Sequence, residues 1–327
     1  MAEPNDLRQG VFDRIRAACA LVAGEGRHVR VLEDQIPRLA EAIWKELPPA
    51  PIYDEVHHFR GDDRSTLAYI ITLDAVNFGS GYFPYLTKRR GTSGYYTVAT
   101  SLADRFRANG PLSAETLSAI KPQACANIFG QDTSSEPVAE LMRLFAQAWN
   151  DLGRDLLDRF EGRFENLLIS ADHFAGRLVD LLDAQPLFHD VATYNGFAVP
   201  FYKRAQIAAS DLALAFDGEG LGHFEDIDRL TIFADNLVPH VLRMLGLLEY
   251  DSELLARIER SEEIESGSEE EVEIRACALH AVGLLSRHLK DSKHLASERA
   301  LDIALWTQGQ SPEIKAEPRH RTRSTFY

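Results

Sequence analysis

Apolar residues recur at helical spacing through most of this chain. Between Pro137 and Phe160 they fall at Val138, Leu141, Phe145, Ala148, Leu152 and Leu156 with Trp149 beside them, behind Ser135 and a proline suited to a first turn. A core helix is expected there. Ser268 and Glu271 have the spacing of a capping box ahead of Val272, Ala276, Leu279 and Val282, which predicts a second long helix to about His288. Val238 to Tyr250 and Ser252 to Ile258 read as a further helical pair.

Leu67-Ala-Tyr-Ile-Ile-Thr-Leu73 is apolar on both faces, so period alone does not separate buried strand from buried helix; helix is the expectation. Two short β-hairpins are predicted. One spans Tyr82 to Thr97 around Gly91-Thr-Ser-Gly94, the other Val191 to Phe201 around Asn195-Gly196. With no repeat, linker or sharp change of composition, the expectation is a mainly α fold with small hairpins, in one domain over 1–327. The acid-rich stretch from Glu262 to Glu273 reads as a solvated helix entry.

Composition narrows the class of function. An apolar fraction of 45% with 26% charged residues is that of a folded globular protein. No apolar run reaches membrane-spanning length, and Met1-Ala-Glu-Pro-Asn-Asp6 lacks the basic start of a signal peptide, so a cytoplasmic protein without a membrane partner is expected. Thirty-five basic against fifty acidic residues give a net charge of −15, which disfavours a nucleic-acid partner. Cys19, Cys125 and Cys277 lie too far apart to suggest a disulfide framework or thiolate metal site, and buried packing is the expectation for each.

The densest chemistry lies in Phe201-Tyr-Lys-Arg-Ala-Gln-Ile207 and in Phe224-Glu-Asp-Ile-Asp-Arg-Leu-Thr-Ile-Phe-Ala-Asp235, where charges sit in an apolar background and must be paired, hydrated or used. Asp226, Asp235 and Asp302 are the acids of interest; Asp302 falls within the apolar run Leu301 to Trp306. Each is either a paired structural carboxylate or a catalytic one. Asp74 faces the same choice, with Asn77 one helical turn on. Lys203, beside Tyr202, has the donors for a phosphate or carboxylate, although a salt bridge from Lys203 or Arg204 to one of the acids is the simpler reading. His57 lacks a second histidine at metal-ligand spacing and reads as a surface or hydrogen-bonded residue. Phe233 is either core or a stacking platform for a flat base. No P-loop, G-x-G-x-x-G or G-x-S-x-G motif appears.

At these residues the chain resembles the queuosine salvage protein family, the queuosine 5′-phosphate N-glycosylases. The resemblance is carried by Leu73-Asp-Ala-Val-Asn-Phe78, Ser93-Gly-Tyr95, Phe201 to Ile207, Thr231-Ile-Phe-Ala-Asp235 with Pro239, Glu271-Val-Glu-Ile-Arg275, Leu301-Asp302 through Trp306 and the terminal His320 to Tyr327. It departs from the family pattern at Gly79-Ser-Gly81 after Phe78 and at Asn236-Leu237 after Asp235.

The resemblance implies a helical fold similar to helix-hairpin-helix DNA glycosylases and hydrolysis of queuosine 5′-monophosphate to queuine. It implies His57, Asp226, Phe233 and Asp302 as pocket residues, with Asp235 and Lys203 beside them. On that expectation Asp235, or failing it Asp226, serves the attacking water, and Asp302 with the remaining acid reads the base. Phe233 stacks on the base, Lys203 with Tyr202 meets the phosphate, and no cofactor or metal is required. Two other readings stay open: a nucleic-acid base glycosylase, and a non-catalytic module that binds a modified nucleoside.

Overall fold

The structure is a computed structural model that describes residues 10–49 and 51–327; the acidic opening Met1 to Asp6 lies outside them. The described residues are mainly helical, with two small antiparallel sheets of two strands each. Backbone contacts gather them into two compact units, each built from separate stretches of chain. The first takes the chain up to Pro51, Asp190–Lys203 and Asp228–Arg323; the second takes Ile52–His189, Arg204–Ile227 and Ser324–Tyr327.

In the first unit the helix Glu269–Asp291 is central and packs against the helices Val11–Glu25 and Ile36–Lys45. Val272, Ala276, Leu279 and Val282 are buried as the spacing predicts. Ser268 Oγ accepts the Glu271 N–H at 3.3 Å, while the Glu271 carboxylate reaches back to the N–H of Gly267 at 3.1 Å, one residue beyond a standard capping box.

The acid-rich entry is not wholly solvated, since Glu271 and Glu273 are buried. Glu273 is satisfied there by the N–H groups of Arg27, His28 and Val29 at 3.0, 2.6 and 2.9 Å and by the Tyr194 hydroxyl at 2.8 Å. Four donors replace the water the carboxylate gives up. The hairpin Val191–Tyr194 with Phe197–Pro200 forms around Asn195-Gly196 as expected. The helix foreseen from Val238 to Tyr250 stops at Met244; after Gly246 at φ +76°, Leu248–Tyr250 pairs with Val29–Val31. Ser252–Glu259 is helical as predicted.

The second unit is organised by the helix Glu136–Phe160, whose predicted stripe from Val138 to Leu156 is buried. Trp149 Nε1 donates to the Thr72 carbonyl at 2.8 Å. Gly153 lets the helix Ala114–Ala119 approach closely, because a Cβ there would stand 2.3 Å from the Ser118 nitrogen. The segment Leu67 to Leu73 lies in the helix Asp63–Asp74 and is buried on all sides.

The hairpin foreseen over Tyr82 to Thr97 is absent. Gly91 makes a turn at φ +78°, and Ser93 then caps the helix Gly94–Asn109, its Oγ accepting the Tyr96 N–H at 3.2 Å. Cys19, Cys125 and Cys277 are free and buried. No helix among the described residues is long and apolar enough to cross a membrane.

Candidate active site

Five candidate residues belong to the first unit: Tyr202, Lys203, Phe233, Asp235 and Asp302. Asp302 rides on the helix Glu298–Gln308, which Ser297 caps through the Ala300 N–H, and its side chain is buried. Its Oδ1 accepts the backbone N–H of Phe233 at 2.8 Å, so the irregular segment Thr231 to Asp235 is fastened to this helix at the aromatic residue. Two residues on, Asp235 Oδ1 takes the N–H groups of Leu237 and Val238 at 2.7 and 3.0 Å, from just before the helix Val238–Met244, and so satisfies the first of its free N–H groups.

Burial pushes the Asp302 carboxyl up to about 7. The Phe233 N–H and the Lys203 charge pull it down, while the negative charge of Asp235 raises it further. Asp302 is therefore a buried carboxyl that holds its proton to a far higher pH than an exposed aspartate does.

Lys203 is 7% exposed and opens the helix Lys203–Ala215. Before it, Tyr202 takes a left-handed backbone at φ +50°, uncommon for a bulky residue. Asp190 holds this corner. Its carbonyl accepts the Phe201 N–H at 2.9 Å, its Oδ2 accepts the Lys203 N–H at 3.1 Å, and its carboxylate is gripped by both terminal nitrogens of Arg275 at 2.9 and 2.7 Å. Sequence reading did not single out Asp190 or Arg275 as site residues. A signal existed for Arg275, a charge set among Val272, Ile274, Ala276 and Leu279 on a buried helix.

The second unit holds His57, Asp74, Asn77 and Asp226. Asp74 closes the helix Asp63–Asp74, and Asn77 Nδ2 donates to its Oδ1 at 3.1 Å, so these two do face each other. Arg204 donates to the carbonyls of Asp74 and Ala75 at 3.2 and 2.6 Å and to that of Leu187, with its guanidinium over the rings of Phe78 and Phe188. His57 Nδ1 meets Asp54 Oδ2 at 2.6 Å and its ring lies 4.2 Å from that of Tyr96. Asp226 accepts the N–H of Ala175 on Oδ1 at 2.6 Å and of Gly176 on Oδ2 at 3.0 Å, and so caps the helix Ala175–Asp183 from outside it.

Asn236, one of the departures from the family pattern, pairs with the backbone of Thr322 in both directions, at 3.3 and 3.2 Å. This substitution ties down the terminal stretch of the first unit and adds no charge beside Asp235.

Residues 57–327 match the family described as queuosine salvage protein. The chain is similar to the queuosine 5′-phosphate N-glycosylase/hydrolase of Sphaerobacter thermophilus, with 39% identity over 333 residues and 100% of both chains covered. It is similar to the protein of the same name from Dictyostelium discoideum, 35% identical over 264 residues that cover 80% of this chain and 78% of that one. To the Mus musculus protein of that name it is 29% identical, over 95% of this chain and 98% of the other. With these matches and the motif residues in place, the chain belongs to the queuosine salvage protein family.

Proposed function

We propose that this chain hydrolyses the N-glycosidic bond of queuosine 5′-monophosphate and releases queuine. The observation that supports it best is Asp302, hydrogen-bonded to the Phe233 N–H two residues before Asp235, with its carboxyl raised to about 7 by burial and by the Asp235 charge.

Breaking a ribosyl C1′–N bond builds positive charge on the sugar. A carboxylate beside C1′ stabilises that charge and accepts a proton from the attacking water. We assign this to Asp235. The departing base is a 7-deazaguanine, with carbon in place of N7, so protonation at N7 is not open to the enzyme and help must reach another edge atom. Asp302, protonated in part near neutrality, is assigned as the donor. Water supplies the hydroxyl left on C1′, the base nitrogen ends protonated, and the products are queuine and ribose 5-phosphate.

Phe233 is assigned to the deazapurine face, and Lys203 with Tyr202 to the 5′-phosphate. Both oxygens of Asp226 already carry helix N–H groups, so Asp235 is preferred to it for the water. The substrate's side-arm amine is cationic at neutral pH, a further reason for an acidic site.

The test incubates purified protein with queuosine 5′-monophosphate and with queuosine, and follows queuine by mass spectrometry. Release from the monophosphate supports the reading. Binding of either compound without release would replace it with a modified-nucleoside binding protein.

A further inference from the structure

We infer that Asp190 and Arg275, which have no part in the chemistry above, are positioning residues for it; the inference rests on the glycosylase reading. Arg275 is 2% exposed on the helix Glu269–Asp291. Besides the two-pronged grip on Asp190, its Nε donates to the Ala234 carbonyl at 3.2 Å and its guanidinium lies 3.9 Å from the centre of the Phe201 ring. Glu271 stands 3.5 Å from its Nη1.

Ala234 is the residue between Phe233 and Asp235. Phe201 begins the corner that presents Tyr202 and Lys203. One rigid planar group therefore touches two of the segments that carry the proposed site, the one with Phe233 and Asp235 and the one with Tyr202 and Lys203, and no lysine has that fork.

Asp190 completes the connection. Its carbonyl accepts the N–H groups of Phe201 and Tyr202 at 2.9 and 3.4 Å and its Oδ2 that of Lys203, three successive donors across a corner whose middle residue is left-handed. A strained backbone of this kind persists where its surroundings over-determine it, and such places concentrate at functional sites. A buried ion pair is weak as a stability device, because apolar residues of similar volume often serve as well. Its geometric value is larger: the guanidinium sets the separation of the Ala234 carbonyl from the Asp190 carboxylate. That separation places Phe233 and Asp235 relative to Tyr202 and Lys203.

The test is steady-state hydrolysis of queuosine 5′-monophosphate by wild type, Arg275→Lys, Arg275→Met and Asp190→Asn, with circular dichroism and a melting curve on each preparation. Misplacement predicts that kcat falls by roughly 10- to 100-fold in folded Arg275→Lys and Asp190→Asn, far more than KM rises. Arg275→Met should lose more than Arg275→Lys. Should these variants not fold, Phe201→Leu, which removes only the ring under the guanidinium, is read in the same way and should lower kcat by a smaller factor.

Folded variants with wild-type kcat, or activity that tracks only the folded fraction, would overturn the inference alone. An inactive wild type would overturn the glycosylase reading and the inference with it.

Discussion

Phe233 donates its backbone N–H to Asp302 Oδ1 at 2.8 Å, and this bond joins the residue assigned to the base face with the residue assigned to protonate the base. It favours the ionised carboxylate, yet burial outweighs it and the carboxyl is held up to about 7. The value in the folded chain thus exceeds the ordinary 3.8, and the sign follows. Below 3.8 both folded and unfolded forms are protonated; as pH rises to about 7 the folded form alone holds the proton at increasing cost, so Asp302 lowers stability across that window.

For catalysis, kcat/KM is expected to fall with unit slope above about pH 7, where Asp302 ionises. In Asp302→Asn that limb should vanish along with most of the activity, a loss of ~100-fold or more. A pH–rate profile checks this, and a limb that survives in the variant would assign it to another group.

Asp226 is expected to act on stability. Asp226→Ala frees two N–H groups at the start of the helix Ala175–Asp183 and should cost roughly 1–2 kcal/mol, read as a lower denaturation midpoint, with turnover per folded molecule retained. Lost turnover at unchanged stability would return Asp226 to the chemistry.

Which parts of this were legible in the sequence follows from the range of the interactions involved. The helix Glu136–Phe160 was readable because one long stripe meets one core. The segment Gly91 to Gly94 misled because a glycine turn introduces a helix as well as a hairpin, and the Ser93 cap decides the outcome. Asp302 was readable as an acid in an apolar run that needed a partner, but the Phe233 N–H that meets it stands 69 positions away. The Asp226 cap spans 51 positions and the Asp190 to Arg275 pair 85, and no local pattern encodes either. Burial of Glu273 was hidden for the same reason, since its donors lie on a distant strand and hairpin.

Lys203→Met is expected to raise KM for queuosine 5′-monophosphate on the order of 10-fold or more, the loss of one charged hydrogen bond, with a smaller effect on queuosine. Equal effects on the two substrates would reject the phosphate assignment.

His320 is buried, and burial with the nearby His240, Arg319 and Arg243 pushes its imidazole down to about 3 from 6.5. A depressed histidine favours the folded state above 6.5, and that contribution is lost as pH falls toward about 3. Melting temperature should therefore decline with acidification through this range, and His320→Leu should flatten the slope by up to one proton. An unchanged slope would show that His320 does not titrate on unfolding.

The most direct measurement is the rate of queuine release from queuosine 5′-monophosphate by wild type and by Asp235→Asn, with substrate binding measured on the same preparations. Release by wild type and a fall of ~100-fold or more in the variant, with binding largely kept, is the predicted result. Binding without release by wild type, or full turnover by Asp235→Asn, would contradict the account.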